Sequence, residues 1–180
     1  VVDCSGSMVR RMPSVIKSVN GQIEKLATES KEGSSDCLLT VVRFNEDLHV
    51  VMLEQPIEKV SPLTEELLWA CGCTALIDAT TLSIEREALP MGHRIDGKRE
   101  SLAIVIYTDG MENASKHRNM NDLRYALSRH QDLPGWDIAF VGASLEAFQL
   151  MEQAQFSRRK MVHLRPEDSA EALDDMGDFL

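Results

Sequence analysis

Residues whose types could do chemistry are concentrated at the start of the sequence. In "VVDCSGSM", Asp3, Ser5 and Ser7 occupy alternate positions directly after two β-branched apolar residues. In extended backbone, residues two apart project from the same side, so a bend here can aim one carboxylate and two hydroxyls at a common point. Gly6 permits such a bend. The spacing therefore predicts a cluster of oxygen ligands where a strand ends.

Two further polar residues lie at positions that can join this cluster. Thr74 follows "CGC" at the head of a helical pattern, and Asp109 ends the apolar run "SLAIVIYT". Carboxylates and hydroxyls are hard oxygen donors, which suit Mg²⁺ or Mn²⁺. Mg²⁺ takes about six oxygens, so this set leaves positions for water or an incoming ligand. We therefore predict an incomplete Mg²⁺ or Mn²⁺ site.

Each of these residues also has an ordinary structural interpretation. Ser5 and Ser7 are suitable caps for the helix that follows them. Asp109 and Gly110 fit a common turn, and Thr74 fits a helix cap. Only their occurrence together, at strand ends and helix starts, favours a metal site over these alternatives.

Hydrophobic patterning predicts that strands and helices alternate along the chain. Helical spacing of apolar residues covers the segments 8–26, 61–70, 75–89, 121–130 and 145–154. Runs typical of strands cover the segments 1–5, 37–44, 48–53, 101–108, 136–144 and 160–165. A loop is expected over 90–100 and a terminal helix over 166–180.

This order predicts an α/β fold with a doubly wound, mostly parallel central sheet and helices on both faces. The hairpin over 37–53 supplies one antiparallel edge strand. In such sheets ligands bind at the carboxyl ends of the strands, which is where Asp3 and Asp109 are expected.

Length, charge and cysteine content limit the classes of protein to which this chain can belong. A chain of 180 residues with 43% hydrophobic residues fits one domain over 1–180. A net charge of −10 argues against nucleic acid or an anionic membrane as partner, and no apolar run approaches the roughly 18 residues of a membrane span. Four cysteines without a scaffold-like spacing favour the reducing cytoplasm. Because the chain opens on Val1 within a strand, we expect residues to be missing upstream.

Together the motifs resemble the von Willebrand factor type A (VWA) domain with its metal-ion-dependent adhesion site (MIDAS). The resemblance rests on "DCSGS" after the first strand, "CGCTAL" in a loop and "YTDG" after the central strand, and it extends across nearly the whole chain. The stretch "FVGASLEAF" is similar to the intracellular bacterial branch. The resemblance implies a Rossmann-like fold and five metal-site residues: Asp3, Ser5, Ser7, Thr74 and Asp109.

The resemblance implies a binding module and not an enzyme. Mg²⁺ would be held with an open position, and an Asp or Glu of a partner protein would supply the missing oxygen. The alternative is a Mg²⁺-assisted phosphoryl-transfer enzyme with Asp3 as nucleophile. Ser5 stands where phosphatases resembling the haloacid dehalogenase family carry a second acid. A third possibility is a scaffold domain whose metal is only structural.

The cysteines around these motifs are interpreted as structural. Cys71 and Cys73 lack the second pair that a zinc site needs, although a redox function stays open. Cys73 also stands where the VWA family commonly has glycine, which leaves less room beside Thr74. By alternation, Cys4 should point away from the ion and into the core.

Two expectations concern the surroundings of Asp109. Glu112 and Asn113 follow "TDG" and either rim the site or form a solvated loop face. Asp3 and Asp109 would face mainly hydroxyls, so their charges repel when no metal is bound. The substitution Asp109→Asn should then leave the metal-free protein at least as stable as its parent.

Overall fold

The computed structural model describes residues 1–33, 36–91 and 101–163. Within these residues the strands are β1 (Val2–Asp3), β2 (Leu38–Phe44), β3 (Leu48–Pro56), β4 (Leu102–Thr108), β5 (Trp136–Gly142) and β6 (Met161–His163). The helices are α1 (Met12–Lys31), α2 (Leu76–Met91), α3 (Met120–His130) and α4 (Leu145–Gln153). Within these residues the predicted alternation of strands and helices is confirmed, except over 61–70. The predicted terminal helix over 166–180 and most of the loop over 90–100 lie outside the described residues.

The strands form one sheet in the order β3-β2-β1-β4-β5-β6. Only the β2–β3 pair is antiparallel in the described part of the chain, because a short hairpin joins these two strands. The mostly parallel sheet with one antiparallel edge strand is therefore confirmed. Strand order reverses between β1 and β4, so their carboxyl ends flank the crevice in which such sheets bind ligands.

Helices cover both faces of this sheet. On one face α1 packs through residues such as Met12, Val15 and Ile23. On the other face α2, α3 and α4 contribute residues such as Leu76, Leu123 and Met151. Cys4 lies in the core on the α1 side with no exposed surface, as predicted. No helix among the described residues combines the length and apolarity that a membrane crossing requires.

The predicted helix over 61–70 is wrong. The side chain of Asn20 in α1 accepts from Leu63 N at 2.8 Å and donates to Leu63 O at 3.0 Å. Only one turn follows, in which the N–H groups of Leu67 and Leu68 both donate to Thr64 O at 3.1 Å. Because these hydrogen bonds occupy the backbone in a turn, the segment runs as a loop across α1 toward the end of β1.

Candidate metal site

Asp3 is fixed where β1 and β4 end side by side. Val2 pairs with Tyr107 across the two strands, so Asp3 and Thr108 lie next to each other. Thr108 Oγ1 donates to Asp3 Oδ2 at 2.5 Å, and the Ser5 N–H donates to Asp3 Oδ1 at 2.7 Å. The Asp3 side chain therefore has a hydrogen bond on each oxygen, and the residue is 0% exposed.

Ser5 and Ser7 continue from Asp3 into a short 3₁₀ helix (Gly6–Arg10). Ser5 holds the N-cap position of this helix, but its side chain makes no capping hydrogen bond. Its hydroxyl lies 3.1 Å from the Ser7 hydroxyl, and Ser7 Oγ donates to Asp109 Oδ1 at 2.7 Å. These contacts bring both serines toward Asp109, which favours the interpretation as a site over simple capping.

The loop before α2 is held against the end of β1 by backbone hydrogen bonds. Cys71 N donates to Cys4 O at 2.8 Å, and Gly6 N donates to Gly72 O at 3.0 Å. This pairing carries Thr74 to the same edge of the sheet, where it is buried.

Gly110 shows how closely Thr74 approaches the carboxylate. A Cβ added to Gly110 would lie 2.8 Å from Thr74 Oγ1 and 3.3 Å from Asp3 Oδ2. Both oxygens thus lie within 3.3 Å of one point. The structure brings all five sequence-identified side chains together at the carboxyl edge of β1 and β4, and their binding of a metal stays a prediction.

The electrostatics of Asp3 fit a cation site. Burial raises the pKa of this carboxyl, and the negative charge of Asp109 raises it further. Hydrogen bonds from Thr108 and from the Ser5 backbone and side chain oppose that shift. Because burial is the largest cause, a nearby cation would favour the ionised form of this carboxyl.

The donor set consists of oxygen atoms only. In the described part of the chain, no group of three or more His, Cys, Asp and Glu side chains is arranged to hold a metal. Two carboxylates and three hydroxyls nevertheless suit a hard divalent ion. The residues present therefore fit Mg²⁺ or Mn²⁺.

Arg11 is a further member of this cluster and was not among the predicted site residues. Its Nε donates to Asp109 Oδ2 at 3.0 Å and forms an ion pair with that carboxylate. The expectation for Asp109→Asn assumed that Asp3 and Asp109 face mainly hydroxyls, and Arg11 removes this premise. A basic residue one helical turn after Ser7 was the available signal.

Glu112 and Asn113 do more than rim the site. Asn113 Oδ1 accepts from Thr74 N at 2.8 Å, and Thr74 O accepts from Asn113 N at 3.0 Å. Glu112 Oε2 accepts from Ile77 N at 2.7 Å in the first turn of α2. Both residues therefore position Thr74 and the start of α2, which the sequence did not indicate.

The cysteines beside the site are unpaired. All four cysteines of the chain carry free thiols. Burial raises the pKa of the Cys4 thiol to about 12, and a hydrogen bond to Glu46 raises the pKa of the exposed Cys73 thiol. Because the thiolate is the reactive form, neither residue is activated.

Known proteins resemble this chain in structure but not in sequence. No protein-family model and no curated protein matches it. A von Willebrand factor type A protein from Catenulispora acidiphila matches with a TM-score of 0.60 and 19% identity, over 99% of this chain and 40% of that one. Proximal thread matrix protein 1 from the mussel byssus matches with a TM-score of 0.53 and 18% identity, over 98% and 43%.

A second structure of the mussel protein, with a zinc-occupied MIDAS motif, matches with a TM-score of 0.48 and 18% identity, over 89% and 39%. The chain spans about two fifths of the length of these proteins. The two matches with TM-scores of 0.60 and 0.53 cover almost all of this chain and share its fold. The chain therefore has the fold of a von Willebrand factor type A domain.

Proposed function

We infer that this chain is a metal-dependent protein-binding module. The observation that carries the proposal is the convergence of oxygen groups at one sheet edge, contributed by Asp3, Ser5, Ser7, Thr74 and Asp109. An ion held there, Mg²⁺ or Mn²⁺, would supply an open coordination position for a carboxylate oxygen of an Asp or Glu of the partner protein.

The low charge of the site supports dependence on a partner. Asp3 and Asp109 bring two negative charges, and the three remaining groups are neutral hydroxyls. Glu112, the next acid along the chain, is engaged at the start of α2, and Glu46 accepts from Cys73 N at 3.1 Å. Neither is free to complete the site, so a carboxylate from outside would add the third negative charge.

Exposed apolar side chains beside the site support a protein as the partner. Val9 lies two residues after Ser7 and is 56% exposed, and Met111 lies two residues after Asp109 and is 58% exposed. Trp69, in the loop that leads to Thr74, is 52% exposed. A protein that docks at the site would cover these side chains, and burial of apolar surface favours association.

The burial of Asp3 speaks against the phosphoryl-transfer alternative. A nucleophilic carboxylate must reach the substrate, whereas Asp3 is 0% exposed and accepts a hydrogen bond at each oxygen. The proposal is therefore a module that binds and does not turn over a substrate. We also propose that residues 1–180 form one domain in the cytoplasm, of the intracellular bacterial type, which the four free thiols support.

A pair of Thr→Val variants tests the proposal. Thr74→Val removes a hydroxyl at the site, and Thr81→Val removes a buried hydroxyl in α2 that has no hydrogen-bond partner within the described residues. Mn²⁺ binding is measured by electron paramagnetic resonance, and partner capture from cell extract is measured with Mg²⁺ or with EDTA. Thr74→Val should weaken Mn²⁺ binding about tenfold or more, which is about 1.4 kcal/mol, and should lose capture.

Thr81→Val should match the parent protein in both measurements. Equal capture in Mg²⁺ and in EDTA would contradict the metal bridge. Hydrolysis of a generic phosphate ester that depends on Mg²⁺ and is lost in Asp3→Asn would favour the enzyme instead.

A further inference from the structure

Arg11 places a permanent positive charge beside Asp109, one of the two carboxylates of the candidate site. Its Nε lies 3.0 Å from Asp109 Oδ2, while the Ser7 hydroxyl donates to the other oxygen at 2.7 Å. The Asp109 side chain is only 8% exposed, and that of Arg11 is 35% exposed. Both oxygens of Asp109 are therefore engaged, one of them by a cation.

Arg11 lies at the start of α1, where a positive charge is unusual. Arg11 holds the N-cap position of α1, and the first turn of that helix carries no acidic residue. A cation at a helix N-terminus is disfavoured by the helix dipole. Arg11 is also the C-cap residue of the preceding 3₁₀ helix, where its N–H donates to Met8 O. The backbone of Arg11 is therefore placed by the junction of the two helices, and Asp109 is the partner of its guanidinium.

We propose that Arg11 is an internal cation that competes with the divalent ion for Asp109. The proposal rests on the proposed function, and it adds how metal loading is regulated. The two carboxylates and the Arg11 guanidinium together carry a net charge of only −1. The ion is then held weakly until the partner carboxylate adds its own charge, so metal and partner load together.

Charge variants of the full chain test the competition. Mn²⁺ affinity is measured by electron paramagnetic resonance for the parent protein, Arg11→Gln, Arg11→Lys and Arg10→Gln. Arg10→Gln is the matched control, because it removes the same charge from the exposed neighbouring residue. Arg11→Gln should bind Mn²⁺ about tenfold more tightly than the parent protein, which is about 1.4 kcal/mol. Arg10→Gln should stay within about twofold, and Arg11→Lys should lie between the two Gln variants.

A second measurement needs only the parent protein and observes Arg11 itself. In ¹⁵N-labelled protein, the Nε–Hε resonance of Arg11 should shift on titration with Mg²⁺. Its assignment comes from its loss in Arg11→Gln or Arg11→Lys. A resonance that stays in place at saturating Mg²⁺ would overturn the competition even if Arg11→Gln fails to fold.

The outcomes separate this inference from the proposed function. Suppose that the parent protein binds Mn²⁺ and that Thr74→Val weakens this binding. If Arg11→Gln then binds Mn²⁺ no more tightly than Arg10→Gln, only the competition is wrong. If neither the parent nor any charge variant binds Mn²⁺, both proposals fall. Binding seen in Arg11→Gln alone would support the competition strongly.

Discussion

At the scale of single residues, Gly110 decides whether the site can assemble. Gly110 N donates to Thr108 Oγ1 at 3.1 Å, and this hydroxyl in turn donates to Asp3. A methyl group on Gly110 would meet Thr74 Oγ1 at 2.8 Å and Thr74 Cγ2 at 3.2 Å. A Cβ atom essentially never lies as close as 2.8 Å to another heavy atom, so either Thr74 or the end of β4 would have to move.

We therefore expect Gly110→Ala to lower stability and metal affinity together. Overpacking of this kind costs about 1–3 kcal/mol, and displacement of Thr74 removes one hydroxyl from the site. Gly21→Ala is the matched control, because Gly21 lies within α1 with no atom near the added methyl group. That variant should gain about 0.5–1 kcal/mol from helix propensity. Urea unfolding and Mn²⁺ titration measure both effects, and a neutral Gly110→Ala would contradict the close packing.

At the scale of elements, the connection from β4 to α3 is anchored on the first turns of α2. The buried carboxylate of Asp78 accepts from Lys116 N at 2.8 Å and from Arg118 N at 2.6 Å. The side chain of Arg118 forms an ion pair with Glu85, which lies about two turns after Asp78 in the same helix. The loop that carries Asn113 beside Thr74 is therefore held by α2 itself.

Asp78→Asn should destabilise the fold because an NH₂ group, which cannot accept a hydrogen bond, would replace one of the two accepting oxygens. Hydrogen bonds to a charged group contribute about 1.5–3 kcal/mol, so we expect a loss of about 2 kcal/mol in urea unfolding. Asp137→Asn is the control, since this carboxylate is 55% exposed in its pair with Lys160. It should change stability by about 1 kcal/mol or less. Equal effects of the two variants would show that Asp78 does not anchor the loop.

At the scale of the whole molecule, the site exists only in the folded chain. Its residues come from the end of β1, the loop before α2 and the end of β4, and the Ser7–Asp109 hydrogen bond joins positions 102 apart in sequence. An ion that binds only the folded state stabilises it by an amount that grows with the logarithm of its concentration above the Kd. Metal removal should therefore lower the stability of the whole domain.

Thermal unfolding with and without Mg²⁺ tests this coupling. At ten times its Kd, Mg²⁺ should stabilise the fold by about 1.4 kcal/mol, and EDTA should reverse the effect. Because the chain carries a net charge of −10, general screening also stabilises it. NaCl at matched ionic strength is therefore the control. An equal rise in melting temperature in NaCl would show that no specific ion binds.

The sequence by itself determined the elements and the residue types of the site. Apolar periodicity is a local property, so it identified α1, the hairpin and the buried runs that became β4 and β5. The short motifs "DCSGS", "CGCT" and "YTDG" placed oxygen groups at strand ends, and the mostly parallel topology brought those ends to one edge. The fold class and the set of converging side chains followed from these local patterns.

The tertiary structure decided what depends on contacts between distant residues. The two hydrogen bonds between Asn20 and Leu63 join positions 43 apart, and they hold a segment with a helix-like pattern as a loop. The pairing of Arg11 with Asp109 joins positions 98 apart, and it changed the charge of the site. No local pattern encodes such contacts, because their free energy depends on which groups the finished sheet brings into reach. The sequence thus determined five of the residues whose oxygens meet, and only the tertiary structure added Thr108 and Arg11 to them.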